Sequence, residues 1–305
     1  MTERRVKLGL ILPLFSGDTA RSVETAQAAE ADGFDGVFGF DHFFPPEAPS
    51  NRPSVEVYTT LAAVAATTER VALGTLVTRA VLRPAGMIAK LAATLDVISG
   101  GRMVLGIGSG DPIDAPEHVA YGFPNLGVRD RRTHMGETVA AVKALFRGEP
   151  YSGGTHVPAI SGPLLPPPVR DGGPPVWLGG QGDQVVRLAG GLADGWNGWG
   201  MAPEAFRGKV DTLEEEAGAL GREVEATWAG IVVVGEDEAD AERISAGRKD
   251  KGIMGDAFSG SAEHFAEFVR QLADERATWV IVVLAGPADR RELVAEKVLP
   301  ALAAG

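Results

Sequence analysis

The stretch LGTLVTRAVLRPAGMIAKLAATLDVISGGRMVLGIGSGD, Leu73–Asp111, has the pattern of two buried strands joined by a helix. Strands are predicted at Val71–Val77 and Met103–Ile107, because both runs are apolar at nearly every position, as in parallel strands covered on both faces. Pro84–Ile98 between them is rich in Ala and Leu, with Pro in its first turn and two glycines after its end. The stretch therefore predicts a parallel strand–helix–strand unit.

The same alternation continues on both sides of this unit. Further strands are predicted at Val6–Leu12, Asp35–Phe40, Val176–Leu178, Gly195–Asn197, Thr227–Val234 and Trp279–Leu284. Helices are predicted at Thr19–Asp32, Val55–Thr67, Arg129–Phe146, from Asp183, within Pro203–Leu220, from Glu238, at Ala262–Asp274 and at Ala288–Leu302, with a loop at Asp111–Val128. About eight strands, each followed by a helix, favour a closed (β/α)8 TIM barrel over a doubly wound open sheet.

We predict one domain over residues 1–305, with an insertion before strand five. Tyr151–Pro175 is rich in Gly and Pro and would be long for a structureless loop in a compact domain. It is therefore expected to be an excursion that contains a hairpin, and it is a candidate lid.

Composition excludes several classes of function. The net charge of −12 argues against a general nucleic-acid binder, whose affinity rests on Lys and Arg meeting phosphates. The absence of Cys excludes disulfides, thiolate nucleophiles and Cys-ligated metals. No secretion signal or membrane-length apolar window is found, so a cytoplasmic protein with no membrane partner is expected.

Polar residues follow the second predicted strand, where a barrel places its functional groups. Asp41 and His42 set a carboxylate beside an imidazole, which can exchange a proton near neutral pH. Phe43 and Phe44 follow and could wall a planar ring. We interpret this strand end as part of the active site.

Two other strand ends are less specific. After strand four, Asp111 stands where a dinucleotide-binding motif would have its third glycine, so the motif is not met. The glycines before it predict a tight turn, and Asp111 is predicted to present a carboxylate at the barrel mouth. After strand five, Gly179-Gly180-Gln181-Gly182 precedes a helix. This turn is equally compatible with an anion cradle and with a plain connection.

No metal site is predicted, because the five histidines lack the H-E-x-x-H spacing and no thiolate is available. The candidate members of a basic rim are Arg79, Arg83, Lys90, Arg129, Arg131 and Arg132. Ordinary solvated helix faces would explain these basic residues as well.

Four segments resemble the luciferase-like flavin-dependent oxidoreductases, and within them the branch that uses coenzyme F420. They are FGFDHF (Phe38–Phe43), Leu73–Asp111, PPVWLGGQG (Pro174–Gly182) and LADGWNGW (Leu192–Trp199). The resemblance implies a (β/α)8 barrel with an insertion, usually a homodimer, that binds an isoalloxazine-like ring at the mouth.

The resemblance also implies roles for single residues. A non-prolyl cis peptide at or next to Leu76–Val77 would support the ring, Asp41 would contact it, His42 would face its reacting carbon, and Asp111 would donate or accept a proton. The implied cofactor contacts are Asp41, Thr75, Leu76, Val77, Thr78, Gly108 and Asp111, with Gly179, Gly180 and Gln181 at the phosphate. Phe44, Trp196 and Trp199 would shape an apolar substrate pocket.

The predicted reaction is hydride transfer between F420 and a small organic substrate, with His42, Asp111 and Asp41 as catalytic residues. One alternative is an FMN-dependent monooxygenase, to which a separate reductase would supply reduced cofactor. Another is a ligand-binding barrel without turnover. Asp111 stands where the family's sugar-phosphate dehydrogenases carry Glu, and Phe replaces their Trp pattern after the His, which argues against glucose 6-phosphate as substrate.

Overall fold

The computed structural model describes residues 6–45, 53–111, 115–250 and 255–303. Its parallel strands are β1 Lys7–Ile11, β2 Gly36–Gly39, β3 Ala72–Arg79, β4 Met103–Gly108, β5 Val176–Gly179, β6 Gly195–Trp199, β7 Glu225–Gly235, β8 Asp256–Ser261 and β9 Ala277–Ala285. Strands β1 to β7 pair in chain order, and β9 joins β7 to β1 and so closes the ring. The closed eight-stranded barrel confirms the predicted fold.

Helices surround the barrel. They are α1 Thr19–Asp32, α2 Val57–Thr67, α3 Ala85–Ser99, α4 Ala115–Tyr121, α5 Val128–Phe146, α6 Asp183–Leu192, α7 Pro203–Ala219, α8 Glu238–Lys249, α9 Ala262–Asp274, α10 Arg290–Leu293 and α11 Leu299–Ala303. Most ends agree with local signals: Asp18 caps α1 by accepting from the Arg21 amide, and Gly33 ends it with a φ of 91°.

Three sequence predictions were wrong in detail. The predicted loop at Asp111–Val128 contains α4, which the sequence pattern is too short to reveal. Strand β8 was missed; it lies outside the closed ring and pairs with the last part of β7. The single closing helix is interrupted by a π-helical turn at Val294–Val298.

The barrel interior is filled by large aromatic side chains. Phe38, Trp177 and Trp279 are all buried, with ring centroids 5.6 to 5.9 Å apart. Close packing of this kind leaves little interior space, so a ligand has to bind at a mouth of the barrel.

The segment between α5 and β5 packs on the outside of the barrel. Tyr151 and Ile160 form one antiparallel bridge, which is all of the predicted hairpin that the structure shows in this segment. The Glu137 carboxylate of α5 accepts from the amides of residues 155 to 157, and Arg170 pairs with Asp96 of α3. These contacts place the segment against the helical layer and give the lid interpretation no support.

Candidate active site

The carboxyl ends of neighbouring strands meet at one rim. Arg79 of β3 pairs with Gly108 of β4, which pairs with Gly179 of β5, which pairs with Asn197 of β6. Asp41 follows β2 closely and contacts Arg79. Asp41, Gly108 and Gly179 therefore lie at one mouth of the barrel.

Strand β3 has an irregular end at this rim. The peptide bond Leu76–Val77 is cis, as the resemblance implied, and the register with β4 shifts between Thr75 and Thr78. The Val77 side chain packs against two glycines of the neighbouring strands. A Cβ on Gly108 would lie 2.4 Å from Val77 Cγ2, and a Cβ on Gly179 would lie 2.9 Å from Val77 Cγ1. Glycine is needed at both positions for this close approach.

Asp41 is buried and takes part in an ionic network. Its carboxylate accepts from Arg83 at 2.7 and 3.1 Å and from the Arg79 amide at 3.3 Å. Arg83 also pairs with Glu56 at 2.8 Å, and its guanidinium lies 5.0 Å from the Tyr58 ring centroid. The charge of the Asp41 carboxylate is thus balanced by Arg83, and these hydrogen bonds fix its orientation.

His42 contacts a carboxylate that the sequence did not suggest. Its Nδ1 lies 3.1 Å from Glu117 Oε2, and Arg79 Nη1 lies 2.5 Å from the same oxygen. The other oxygen, Oε1, accepts from the amides of Phe43 at 2.7 Å and Phe44 at 3.1 Å. Glu117 therefore ties α4 to the chain that follows β2 and to the end of β3.

The surroundings of Glu117 favour its ionised form. Burial alone would raise the pKa of this carboxyl, but the hydrogen bonds from His42 and the Phe44 amide, with the positive charges of His42 and Arg79, lower it to about 2. Glu117 side-chain exposure is 1% and that of Arg79 is 3%. Glu117 and Arg79 therefore form a charged pair shielded from solvent. His42 lies beside this pair, and its side chain is 18% exposed.

Aromatic rings surround the exposed side of His42. The ring of Phe15 lies 5.9 Å from His42 and 5.9 Å from Phe40, and Phe40 lies 5.7 Å from Trp199. A cavity of about 650 Å³ is bordered by Phe15, Phe40 and Val283 and extends outward between α1 and residues 286–292. Its volume suits a ligand of ordinary cofactor or substrate size.

The remaining predicted residues are placed as follows. Thr75 is buried and donates to the Gly106 carbonyl at 2.8 Å, and Thr78 is 2.6 Å from the Tyr58 hydroxyl. Gln181 is exposed and its amide donates to the Trp199 carbonyl. Leu76 is buried, and Val77 is half-buried at the rim.

The structure does not support three of the predicted assignments. Trp196 is fully buried and stacks on Phe206 of α7, with centroids 5.5 Å apart, so it belongs to the helical layer and not to a pocket at the mouth. Phe44 is also buried, at 5% exposure. Arg79 is not on a basic rim, because it is buried between Asp41 and Glu117.

Asp111 is exposed and lies beyond β4, while the carboxylate that contacts His42 is Glu117. The proton-handling role of Asp111 stays a prediction. Sequence reasoning missed Glu117 because α4 was taken as loop; a Glu six residues after Asp111 had no strand end to mark it. Phe15 and Phe40 were also missed, although both follow or end apolar strand segments.

In the described part of the chain, no group of three or more potential His, Asp or Glu ligands could hold a metal ion, and no helix is long and apolar enough to cross a membrane. The fold and site define a (β/α)8 barrel enzyme with an ionic network, an imidazole and a cavity at the mouth of the barrel. A family model described as luciferase-like monooxygenase matches residues 8–295. The chain belongs to this family.

Individual relatives agree with the family assignment. A 5,10-methylenetetrahydromethanopterin reductase of Methanolobus tindarius is 30% identical over 65% of this chain and 56% of its own. An F420-dependent glucose-6-phosphate dehydrogenase of Beutenbergia cavernae is 36% identical over 55% of this chain and 49% of its own. The match therefore spans about half the length of these relatives.

A solved structure supports the fold over nearly the whole chain. It is described as an F420-dependent secondary alcohol dehydrogenase in complex with an F420-acetone adduct. Its TM-score is 0.82 at 20% identity, and the match covers 97% of this chain and 99% of that one. At this identity the likeness establishes the barrel and not the reaction.

Proposed function

We propose that this enzyme transfers a hydride between coenzyme F420 and a small organic substrate at the mouth of its barrel. The observation that carries the proposal is the position of His42, with Glu117 and Arg79 behind it and the aromatic rings of Phe15 and Phe40 beside it. The identity of up to 36% with F420-dependent relatives supports the choice of cofactor.

The residues at the mouth fit a planar redox ring. Phe40, Trp199 and Val77 are half-buried apolar side chains around the rim, and such surfaces suit a flat aromatic ligand. Asp41 and His42 supply polar groups at one side of this surface. F420, when bound, supplies the carbon that accepts or returns the hydride.

The turn after β5 fits a phosphate group. Gly182 precedes α6 and makes no side-chain cap hydrogen bond. Apart from the Val185 amide, which donates to the Gly182 carbonyl at 2.8 Å, the first amides of the helix can therefore meet an acceptor at the positive end of the helix dipole. Asp183 opens the helix, but Lys209 lies 2.5 Å from its carboxylate and offsets the negative charge. We propose that Gly179, Gly180 and Gln181 line this site.

The protein's own contribution is to align the substrate, exclude water and handle a proton. Hydride transfer to or from a substrate leaves a proton to be taken up or released, and a positioned His can do this near neutral pH. We assign that task to His42. The His42 side chain is 18% exposed and lies against Phe15 and Phe40, which border the cavity, so direct contact with a substrate is compatible with its position.

Ligand titration of the purified full chain tests the cofactor. F420 and FMN are each added while binding is followed by the change in cofactor fluorescence. We expect F420 to bind and FMN to bind at least tenfold more weakly. Tight binding of FMN without binding of F420 would overturn the proposal in favour of a monooxygenase that uses reduced flavin, the alternative suggested by the family's description.

A matched pair of variants tests the role of His42. His42→Asn should keep F420 binding and lower the rate of hydride transfer by about 10²–10⁴-fold, the usual contribution of a general acid or base. His264→Asn is the control, because His264 contacts Glu238 through the same ring atom at 2.7 Å but lies exposed near the end of β8. An unchanged rate in His42→Asn would remove His42 from the mechanism.

A further inference from the structure

We infer that Glu117 is a positioning residue that fixes the tautomer of His42, so that His42 exchanges protons with the substrate through Nε2. The inference rests on the proposed function for the use of that proton, but the tautomer is a property of the protein alone.

Two backbone amides fix the orientation of the Glu117 carboxylate. Oε1 accepts from Phe43 at 2.7 Å and from Phe44 at 3.1 Å. Rotation of the carboxylate would exchange its two oxygens but not remove their acceptor role, whereas a neutral amide in its place would have only one acceptor. The second oxygen, Oε2, is thereby directed at His42 and Arg79.

An ionised carboxylate oxygen can only accept hydrogen bonds. The contact of 3.1 Å between Glu117 Oε2 and His42 Nδ1 therefore requires a proton on Nδ1. In a neutral imidazole the other nitrogen, Nε2, then carries the lone pair. Glu117 thus decides which ring atom can act as a base.

Arg79 balances the Glu117 carboxylate whether or not the imidazole carries a charge. Its Nη1 lies 2.5 Å from Glu117 Oε2 and balances the carboxylate, and the neighbouring Asp41 is balanced by Arg83 at 2.7 Å. Both arginines reach this site from the end of β3 and the chain that follows it.

Aromatic contacts hold the plane of the ring. Phe15 and Phe40 meet His42 edge to face, with interplanar angles of 64° and 77° and centroid distances of 5.9 and 6.4 Å. With Nδ1 held by Glu117, these contacts limit rotation of the imidazole about its side-chain bonds. The direction of Nε2 is therefore fixed before a substrate binds, which is the condition for efficient proton transfer.

The proton balance follows directly. When the substrate is oxidised, a hydride leaves its carbon for the cofactor, and the proton released from the substrate passes to Nε2. The resulting imidazolium is stabilised by Glu117, as a carboxylate partner stabilises a catalytic imidazole elsewhere. In the reverse direction Nε2–H returns the proton.

Nitrogen NMR of ¹⁵N-histidine-labelled protein reads the tautomer without any cofactor, and His42→Asn identifies the His42 signals. Spectra are recorded at a pH where the ring is neutral. We expect the Nδ1–H form in the wild type. In Glu117→Gln the side-chain oxygen should accept from the backbone amides of Phe43 and Phe44. In the opposite orientation the side-chain NH₂ would face these two donors, which is unfavourable. In the favoured orientation the amide NH₂ faces Nδ1, so His42 should change to the Nε2–H form.

Glu238→Gln is the matched control, since it changes the carboxylate beside His264 and should leave the His42 signals unchanged. The inference is overturned if wild-type His42 is in the Nε2–H form, or if Glu117→Gln leaves the spectrum unchanged. Should Glu117→Gln not fold, the wild-type spectrum still decides, and Glu117→Asp replaces it as the variant expected to keep Nδ1–H. Failure of F420 to bind would overturn the proposed function and leave this result standing.

Discussion

Replacement of Glu117 by Gln should make the stability of the protein less sensitive to acid. The carboxylate accepts hydrogen bonds from His42 and two backbone amides and forms a salt bridge with Arg79, and all of these contacts favour its charged form. Gln keeps the size of the side chain but has no charge to lose. The wild type and the variant should therefore respond differently to pH in the acid range.

The size of the effect follows from the pKa of Glu117, which is about 2 instead of the ordinary 4.5. At about 1.36 kcal/mol for each pKa unit, this difference corresponds to about 3 kcal/mol of stability. Because the folded state has the lower pKa, the contribution is complete above the ordinary value and is lost as the pH falls toward about 2. About 2 kcal/mol of it should be gone at pH 3.

Urea unfolding, followed by tryptophan fluorescence and by circular dichroism, gives the free energy of unfolding at pH 7, 5, 4 and 3. The difference between wild type and Glu117→Gln should shrink by about 2 kcal/mol from pH 7 to pH 3, while other carboxylates affect both proteins equally. Glu238→Gln, at an exposed carboxylate, should show a much smaller change. A difference that stays constant with pH would refute the assigned ionisation of Glu117.

Two further predictions concern the barrel itself. Trp177→Ala should lower the free energy of unfolding by about 3–5 kcal/mol, because the ring is 1% exposed, whereas Leu220→Ala, at 58% exposure, should change it by less than about 0.5 kcal/mol. Gly108→Ala should destabilise by about 1–3 kcal/mol, since its Cβ would lie 2.4 Å from Val77. In the double variant, Val77→Ala should relieve the destabilisation caused by Gly108→Ala. Gly208→Ala is the control and should not destabilise, because its Cβ would meet no atom within 4 Å. Equal effects of the Gly108 and Gly208 substitutions would contradict the steric argument.

Much of the fold could be predicted because its signals are local. Apolar runs mark the buried parallel strands, and helix ends carry Asp or Gly at the capping positions, as at Asp18 and Gly33. The short helix α4 and strand β8 escaped prediction, since a few residues show too little periodicity to outweigh loop-like composition. Their formation depends on contacts that α4 and β8 make with distant segments.

The site was predicted in part for the same reason. Gly108 and Gly179 end their strands, Asp41 and His42 follow β2 closely, and parallel strands bring such positions to one rim. Glu117 follows no strand, so its contact with His42, across 75 positions of sequence, had no local signal. The position of Trp196 was also misjudged, because a strand residue can face either side of the barrel wall.

The sequence by itself determined the order of strands and helices, the parallel barrel that this order implies, and the presence of an acid and an imidazole at one strand end. Each of these features depends on residues that are neighbours in the chain. Only the tertiary structure decided which carboxylate meets His42, that Arg79 is a buried counter-ion, and which aromatic rings border the cavity. Those contacts join β2, β3 and α4, and their energies depend on distance and burial, which no stretch of sequence specifies alone.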